Sequence, residues 1–236
     1  MAVRAPSARG GPVLRRSRPT QDPVHHPLFA RFYARMSVEA DARAGVGKIR
    51  EELLAGLSGR VIEIGAGNGL NFAHYPRAVS EVVAVEPERV LRRHAAEAGL
   101  RVEVPVDVVP GAAEALPVKS ESFDAAVASL VLCSVRDLPR SLSELHRVLR
   151  PGGELRFFEH GRAPGRGMAT FQRVLDRTVW PRLCGGCHTA RDPLAAIEAA
   201  GFEVTAVRGL RVPEGGPALP SSYCVLGTAR RGYGTD

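Results

Sequence analysis

Three groups of residues have the types and spacing to do chemistry. The first begins at Val61-Ile-Glu63-Ile-Gly65-Ala66-Gly67-Asn68-Gly69, an apolar run that enters a glycine-rich turn ahead of a helix. Glycines let the backbone approach a ligand closely, and a helix start offers unpaired N–H groups to an anion such as a carboxylate. Glu86 ends the next apolar run, 21 positions after Gly65 (86 − 65), and precedes Pro87. An acidic side chain at that place can accept hydrogen bonds from both hydroxyls of a ribose. The dinucleotide fingerprint wants Gly or Ala where this chain has Leu70, so the turn is less suited to a pyrophosphate.

The second group is Cys133 and His160, at the carboxyl ends of the fourth and fifth predicted strands, where open α/β sheets gather their ligands. His160 is a candidate base for an acceptor, with Glu159 as a competitor; Cys133 reads equally as a buried inert thiol. The third group is Cys184-Gly-Gly-Cys187-His188 with Arg191. It spells the covalent haem pattern, but that chemistry belongs to exported proteins. A zinc site would have to recruit Cys133, Cys224 or His160, and no metal site is expected. His188 and Arg191 are candidates for the substrate pocket.

Positioning these groups requires a sheet. Arg60 to Ile64, Glu81 to Val85, Val104 to Val109, Phe123 to Ala128 and Gly153 to Phe158 read as strands alternating with helical stretches. That order means a parallel sheet with right-handed crossovers. Phe29, Phe32, Tyr33 and Met36, then Val46, Ile49, Leu53 and Leu57, recur at helical spacing, so two helices precede the first strand. Leu138 to Leu149 forms a helix capped by Asp137 and stopped at Pro151-Gly152-Gly153; another begins at Asp192-Pro193 and closes at Gly201. Residues 161–190 interrupt the alternation and are a candidate substrate cover, with Met168, Phe171, Val174, Leu175 and Val179 marking one amphipathic helix. Phe202 to Val207 and Ser222 to Gly227 are the last strands, joined by a loop over Gly209 to Pro220.

With 236 residues and 44% hydrophobic content, the chain supports one sizeable core. Of the formal charge of +7, residues 1–24 hold +4, from five arginines against Asp22. The remainder forms no concentrated basic stripe, so nucleic acid is not an expected partner. Residues 1–24 have too few apolar side chains to offset ordering and read as a disordered basic tail; residues 25–229 form the domain and 230–236 a second tail. No apolar segment follows Arg15-Arg16 and no run approaches a membrane span, which points to a cytoplasmic protein with reduced cysteines.

Over roughly residues 45 to 228 the chain resembles the class I S-adenosylmethionine-dependent methyltransferases. Glu63-x-Gly65-x-Gly67-x-Gly69, Glu86, Gly111-Ala-Ala113-Glu114-Ala-Leu-Pro117, Phe123-Asp124 and Leu149-Arg-Pro-Gly-Gly153 match that family's motifs in order. The resemblance implies a Rossmann-like α/β fold: a seven-stranded, mostly parallel sheet with helices on both faces and an antiparallel last strand. It implies S-adenosylmethionine as donor, with the methionine end over the glycine turn, the ribose on Glu86 and the adenine beside Ala113 and Glu114. Many relatives carry Asp where this chain has Ala112, so Glu114 is expected to take the adenine amino group.

A narrower similarity, from about Tyr33 onward, is to the methyltransferase-like seven group of alkyl thiol methyltransferases. It runs through Gly69-Leu-Asn71-Phe72, Tyr75-Pro76, Leu130 to Val135, Phe158-Glu-His160 and Gly186 to Asp192. It implies a thiol as the acceptor; Asn71, Pro87, Ser129 and Leu130 are further candidates beside the donor, and Tyr33, Cys133, His188 and Arg191 beside a small-molecule acceptor. Methylation at oxygen, nitrogen or carbon of a metabolite, quinol or lipid is the alternative. A nicotinamide oxidoreductase or a noncatalytic binding protein is more remote.

Overall fold

The computed structural model describes Ala30, Ala34, residues 36–39, Asp41 and residues 45–233. Its centre is β1 (Gly59–Ile64), whose last four residues are buried. Ile62 and Ile64 face one apolar layer and Val61 the other, the period of two expected of a strand covered on both sides. β2 (Val79–Val85), β3 (Val106–Val109), β4 (Phe123–Ser129) and β5 (Leu149–His160) lie parallel to it. β7 (Tyr223–Arg231) runs antiparallel to β5, and β6 (Phe202–Arg211) completes the order β3-β2-β1-β4-β5-β7-β6.

Helices cover both faces. α1 (Val46–Leu54) and α2 (Arg89–Gly99) bring Leu53, Leu54 and Ala95 to one layer, and α3 (Leu138–Val148) and α6 (Pro193–Ala199) bring Leu142, Leu145 and Ile197 to the other. Asp137 and Asp192 accept from Arg140 N and Ala195 N, the two caps read from the sequence. Glu88 caps α2 through Val90 N and Leu91 N, which the sequence reading did not anticipate.

Several boundaries move. β3 starts after Pro105, which has no N–H to give the ladder. β5 reaches back to Leu149 and forward to His160, placing that histidine on the strand itself, opposite Cys224. β6 continues to Arg211 rather than yielding to a loop at Gly209, because β6 and β7 pair as a ribbon out to Arg211 and Tyr223. β7 extends to Arg231, which donates to Leu149 O and pairs with Glu121, so the sheet includes residues assigned to the C-terminal tail.

The stretch over 161–190 contains α4 (Arg166–Arg177) and α5 (Trp180–Leu183). Its apolar periodicity misleads: Phe171, Val174 and Val179 are each at least half exposed. Gln172 is the buried anchor instead, accepting from Ala163 N and donating to Gly161, Thr189 and Pro220 carbonyls. One amide, its two N–H groups shared among three carbonyls, fixes α4 where apolar burial does not. Among the described residues no helix is long and apolar enough to cross a membrane. The basic tail, Phe29, Phe32 and Tyr33 lie outside the described residues.

Candidate functional site

A cavity of about 430 Å³ opens at the carboxyl ends of β1, β2 and β4. Gly65, Gly67, Glu86, Pro87, Ala113, Glu114 and Leu130, all donor candidates from the sequence, line it. Gly65 is left-handed (φ +61°), and a Cβ there would meet Val131 Cγ2 at 2.3 Å, so the turn has room for glycine alone. Gly67 N donates to Glu86 Oε2 and Glu88 N to Glu86 Oε1, both at 2.8 Å. Each carboxylate oxygen is thus fixed by one backbone donor and keeps a lone pair. Burial raises Glu86 to about 7 against those two N–H groups. A buried carboxylate held this way at the cavity wall fits a ligand bearing two hydroxyl donors.

Glu63, Ala66, Asn68, Gly69, Asn71 and Ser129 are not on the cavity wall; they brace it. Glu63 accepts from Asn71 Nδ2 at 2.8 Å and Tyr75 OH at 2.7 Å. Burial lifts its carboxyl to about 7 despite these bonds and the charge of Arg50. Arg50 donates to Asn71 Oδ1 and Ser129 Oγ and pairs with Asp41, tying α1 to β4. Asn68 donates to Ala34 O and Ser37 Oγ, which docks the N-terminal helical residues onto the glycine turn. Glu114 reaches the cavity, but its Oε1 already accepts from the N–H groups of Arg136 and Asp137.

Beyond β4 the chain reverses at Leu130, a leucine in the left-handed region (φ +57°) whose N donates to Phe158 O. Such a conformation costs about 1 to 3 kcal/mol and persists only where surroundings impose it. The imposing group is Glu159. Its buried carboxylate accepts from Val131 N, Leu132 N and Cys133 N, and burial raises it to about 7 against those N–H groups.

That reversal carries Cys133 to His160 and Cys187. The three donor atoms lie within 4.8 Å of one another, with Cys187 Sγ 3.4 Å from His160 Nδ1. The neighbouring Cys187 thiol, then burial, pushes Cys133 well up. Burial pulls His160 down, but Cys133, Glu159 and Asp176 outweigh it and raise it above its usual range. The local Cys-x2-Cys-His pattern is therefore split: Cys184 and Gly185 line the donor cavity, while Cys187 turns to residues from two other segments.

His188 and Arg191 are engaged within the protein. His188 N donates to Cys133 O, and its ring Nδ1 lies 2.7 Å from Gly186 O. Arg191 donates to Leu132 O and Val135 O, clamping the turn after β4 to the covering segment. Asp176 completes the clamp through Thr189 N and Ala190 N.

A model for a methyltransferase domain matches residues 62–157. Mouse thiol S-methyltransferase TMT1B is 37% identical over 181 residues, 74% of this chain and 72% of the relative. The chain belongs to the S-adenosylmethionine-dependent methyltransferases, in the group of TMT1A and TMT1B. A ubiquinone/menaquinone biosynthesis C-methyltransferase from Syntrophotalea carbinolica is 34% identical over 71% of this chain and 73% of its own. In fold the methyltransferase matches N-methyltransferase NodS from Bradyrhizobium japonicum, solved with S-adenosyl-L-homocysteine, at a TM-score of 0.58, 16% identity and coverage of 77% and 82%.

As a member of that family, the protein takes its methyl group from S-adenosylmethionine. The Gly65 cradle and the prearranged Glu86 carboxylate fit it. Sequence reasoning missed Arg50 and Gln172, and named Glu159 as a competitor of His160 but not as the clamp of the turn after β4. Each follows no local motif and acts by joining segments distant along the chain.

Proposed function

We propose that this methyltransferase places its methyl group on the sulfur of a small-molecule thiol. The identity with TMT1B over most of both chains carries that reading. S-adenosylmethionine, when bound, supplies a methyl made electrophilic by its sulfonium. The chain's task is then to align an acceptor and exclude water.

We assign the ribose to Glu86, with Pro87 beside it, and the methionine end to the turn of Gly65, Ala66, Gly67, Asn68 and Gly69 braced by Glu63 and Asn71. Ala113 and Glu114 take the adenine, and Leu130, supported by Ser129, closes the wall toward the methyl. His160, at the end of β5, either accepts the acceptor's proton or holds its thiolate. Cys133, His188 and Arg191 set the position of the turns on either side. Tyr33, outside the described residues, is assigned to covering the acceptor. An ordinary thiol with a pKa of ~8.5 is roughly a tenth ionised near pH 7.5, so a modest depression makes thiolate dominant. A carbon or oxygen acid asks for a stronger base.

Likeness to a quinone C-methyltransferase supports a second reading, methylation of a quinol. A panel of thiols, phenols, amines and quinols, scored by mass spectrometry for one added methyl, separates the two. Methylation of a quinol with every thiol unmodified overturns the first reading. We also place the protein in the cytoplasm; recovery in a membrane fraction after cell lysis would contradict it.

A further inference from the structure

The Cys133, His160 and Cys187 cluster is more than neighbouring side chains. Two thiols and an imidazole, borne by the turn after β4, the last residue of β5 and the covering segment, converge within 4.8 Å. Both thiols are buried, Cys133 at 2% and Cys187 at 6% exposure. Their backbones are fixed: Glu159 accepts from Cys133 N, His188 N donates to Cys133 O, Cys187 N donates to Cys184 O, and His160 sits in the β5–β7 ladder. Zinc held by thiolates at ~2.3 Å and an imidazole at ~2.0 Å sets tetrahedral donors roughly 3.5 to 3.8 Å apart. The Cys187 to His160 separation of 3.4 Å lies just short of that range. Two thiolates and a neutral imidazole also balance a divalent charge inside the protein.

We propose that Cys133, His160 and Cys187 hold one zinc ion whose fourth position receives the sulfur of the acceptor. The proposal rests on the thiol reading above. Three donors with an open fourth place is the pattern of a catalytic rather than a structural zinc site. Cys224, opposite His160 across the ladder, is not in the 4.8 Å group and does not close the site. Both cysteine-bearing turns are walls of the donor cavity: Leu130, Val131 and Ser134 flank Cys133, and Cys184 and Gly185 precede Cys187. An acceptor sulfur on the ion would therefore stand at the boundary between the cluster and that cavity.

The step balances without redox change. Of the two roles open to His160, this one holds the acceptor thiolate through the ion and takes no proton; the acceptor S–H gives its proton to water as its sulfur joins the ion. The thiolate lone pair then forms the new S–CH3 bond, while the donor's methyl C–S bond breaks and its pair returns to the donor sulfur, discharging the sulfonium. The neutral thioether product is a weak ligand and leaves, and zinc keeps its charge throughout. Neither Cys133 nor Cys187 is itself methylated.

Metal content of the full-length chain, purified reduced and without chelator, tests the site. One zinc per chain is expected, falling to about a tenth or less in Cys133→Ser and Cys187→Ser and staying at one in Cys224→Ser. Calorimetric binding of S-adenosylmethionine by each variant shows that it is folded. Replacement by cobalt gives thiolate charge-transfer absorption, and adding 2-mercaptoethanol should change that spectrum. A metal-free wild-type chain that does not take up zinc or cobalt overturns the proposal, as does a Cys133–Cys187 disulfide persisting in the active protein. If zinc binds and the cobalt spectrum responds but no thiol is methylated, the functional reading fails and the site stands. If thiols are methylated equally fast by metal-free protein, the zinc proposal fails and the functional reading stands.

Discussion

Replacing Glu86 by Gln keeps the shape of the donor cavity and removes its charge. In the native arrangement each oxygen of Glu86 accepts one backbone N–H at 2.8 Å, from Gly67 and Glu88. A glutamine carbonyl can serve only one of them, and its NH2 must face the other donor. On the proposed placement, two charge-assisted bonds to the ribose are also weakened. At roughly 1 to 2 kcal/mol for each bond, the loss is about 2 to 4 kcal/mol of donor affinity, or about 30- to 1000-fold in Kd. The pH dependence gives a second signature. Burial raises Glu86 to about 7 in the free protein, so below pH 7 the protonated form dominates. If the ionised form binds, affinity grows as pH rises through 7, and native Kd is about tenfold weaker at pH 6 than at pH 8. The Gln variant should lose this slope as well as the affinity. Calorimetric titration with S-adenosylmethionine at both pH values reads both effects. Unchanged affinity, or the same slope in the two proteins, would refute the placement of the ribose.

Gly65→Ala should weaken donor binding and lower the melting temperature by the equivalent of about 1 to 3 kcal/mol, since the new Cβ meets Val131 at 2.3 Å in a left-handed backbone; an unchanged thermal melt argues against the close approach. Arg191→Ala frees the turn after β4 from the covering segment and leaves Leu132 O and Val135 O unpaired; it should cost about 2 kcal/mol in urea unfolding, with no cost expected if those bonds are absent in solution. His160→Gln should slow methylation of alkyl thiols roughly a hundredfold or more while donor affinity changes little. If His160 is the base, the loss shrinks for aromatic thiols that are already ionised; equal losses for both classes remove it from the base role and leave it holding the thiolate. A chain starting at Pro23 should retain full turnover; a folded truncation that loses it would give the basic tail a part in catalysis.

What was legible in the sequence was local. The glycine turn, Glu86 at a strand end, the Asp137 and Asp192 caps and the alternation of strands with helices each depend on residues a few positions apart, and all reappear. What was not legible depends on distance along the chain. His160 lies 27 positions from Cys187, and only the pairing of β4 with β5 and the Glu159 clamp bring Cys133 to both. The Cys184 to His188 pattern drew attention to the right segment but not to the right partners. Apolar spacing in α4 pointed to a buried stripe, whereas the buried contact is the amide of Gln172, whose partners are backbone atoms with no sequence signature. The extent of β6 was hidden because most of its side chains are exposed and the ladder with β7, rather than apolar burial, defines it.

The central claim, methyl transfer to a thiol sulfur, is tested most directly by competition. The purified protein, given S-adenosylmethionine with an isotopically labelled methyl and an equimolar mixture of an alkyl thiol and a menaquinol, should yield labelled methyl thioether, with the label fixed on sulfur by tandem mass spectrometry and the quinol recovered unchanged. Label on a quinol carbon or oxygen, with the thiol recovered unmethylated, would contradict it.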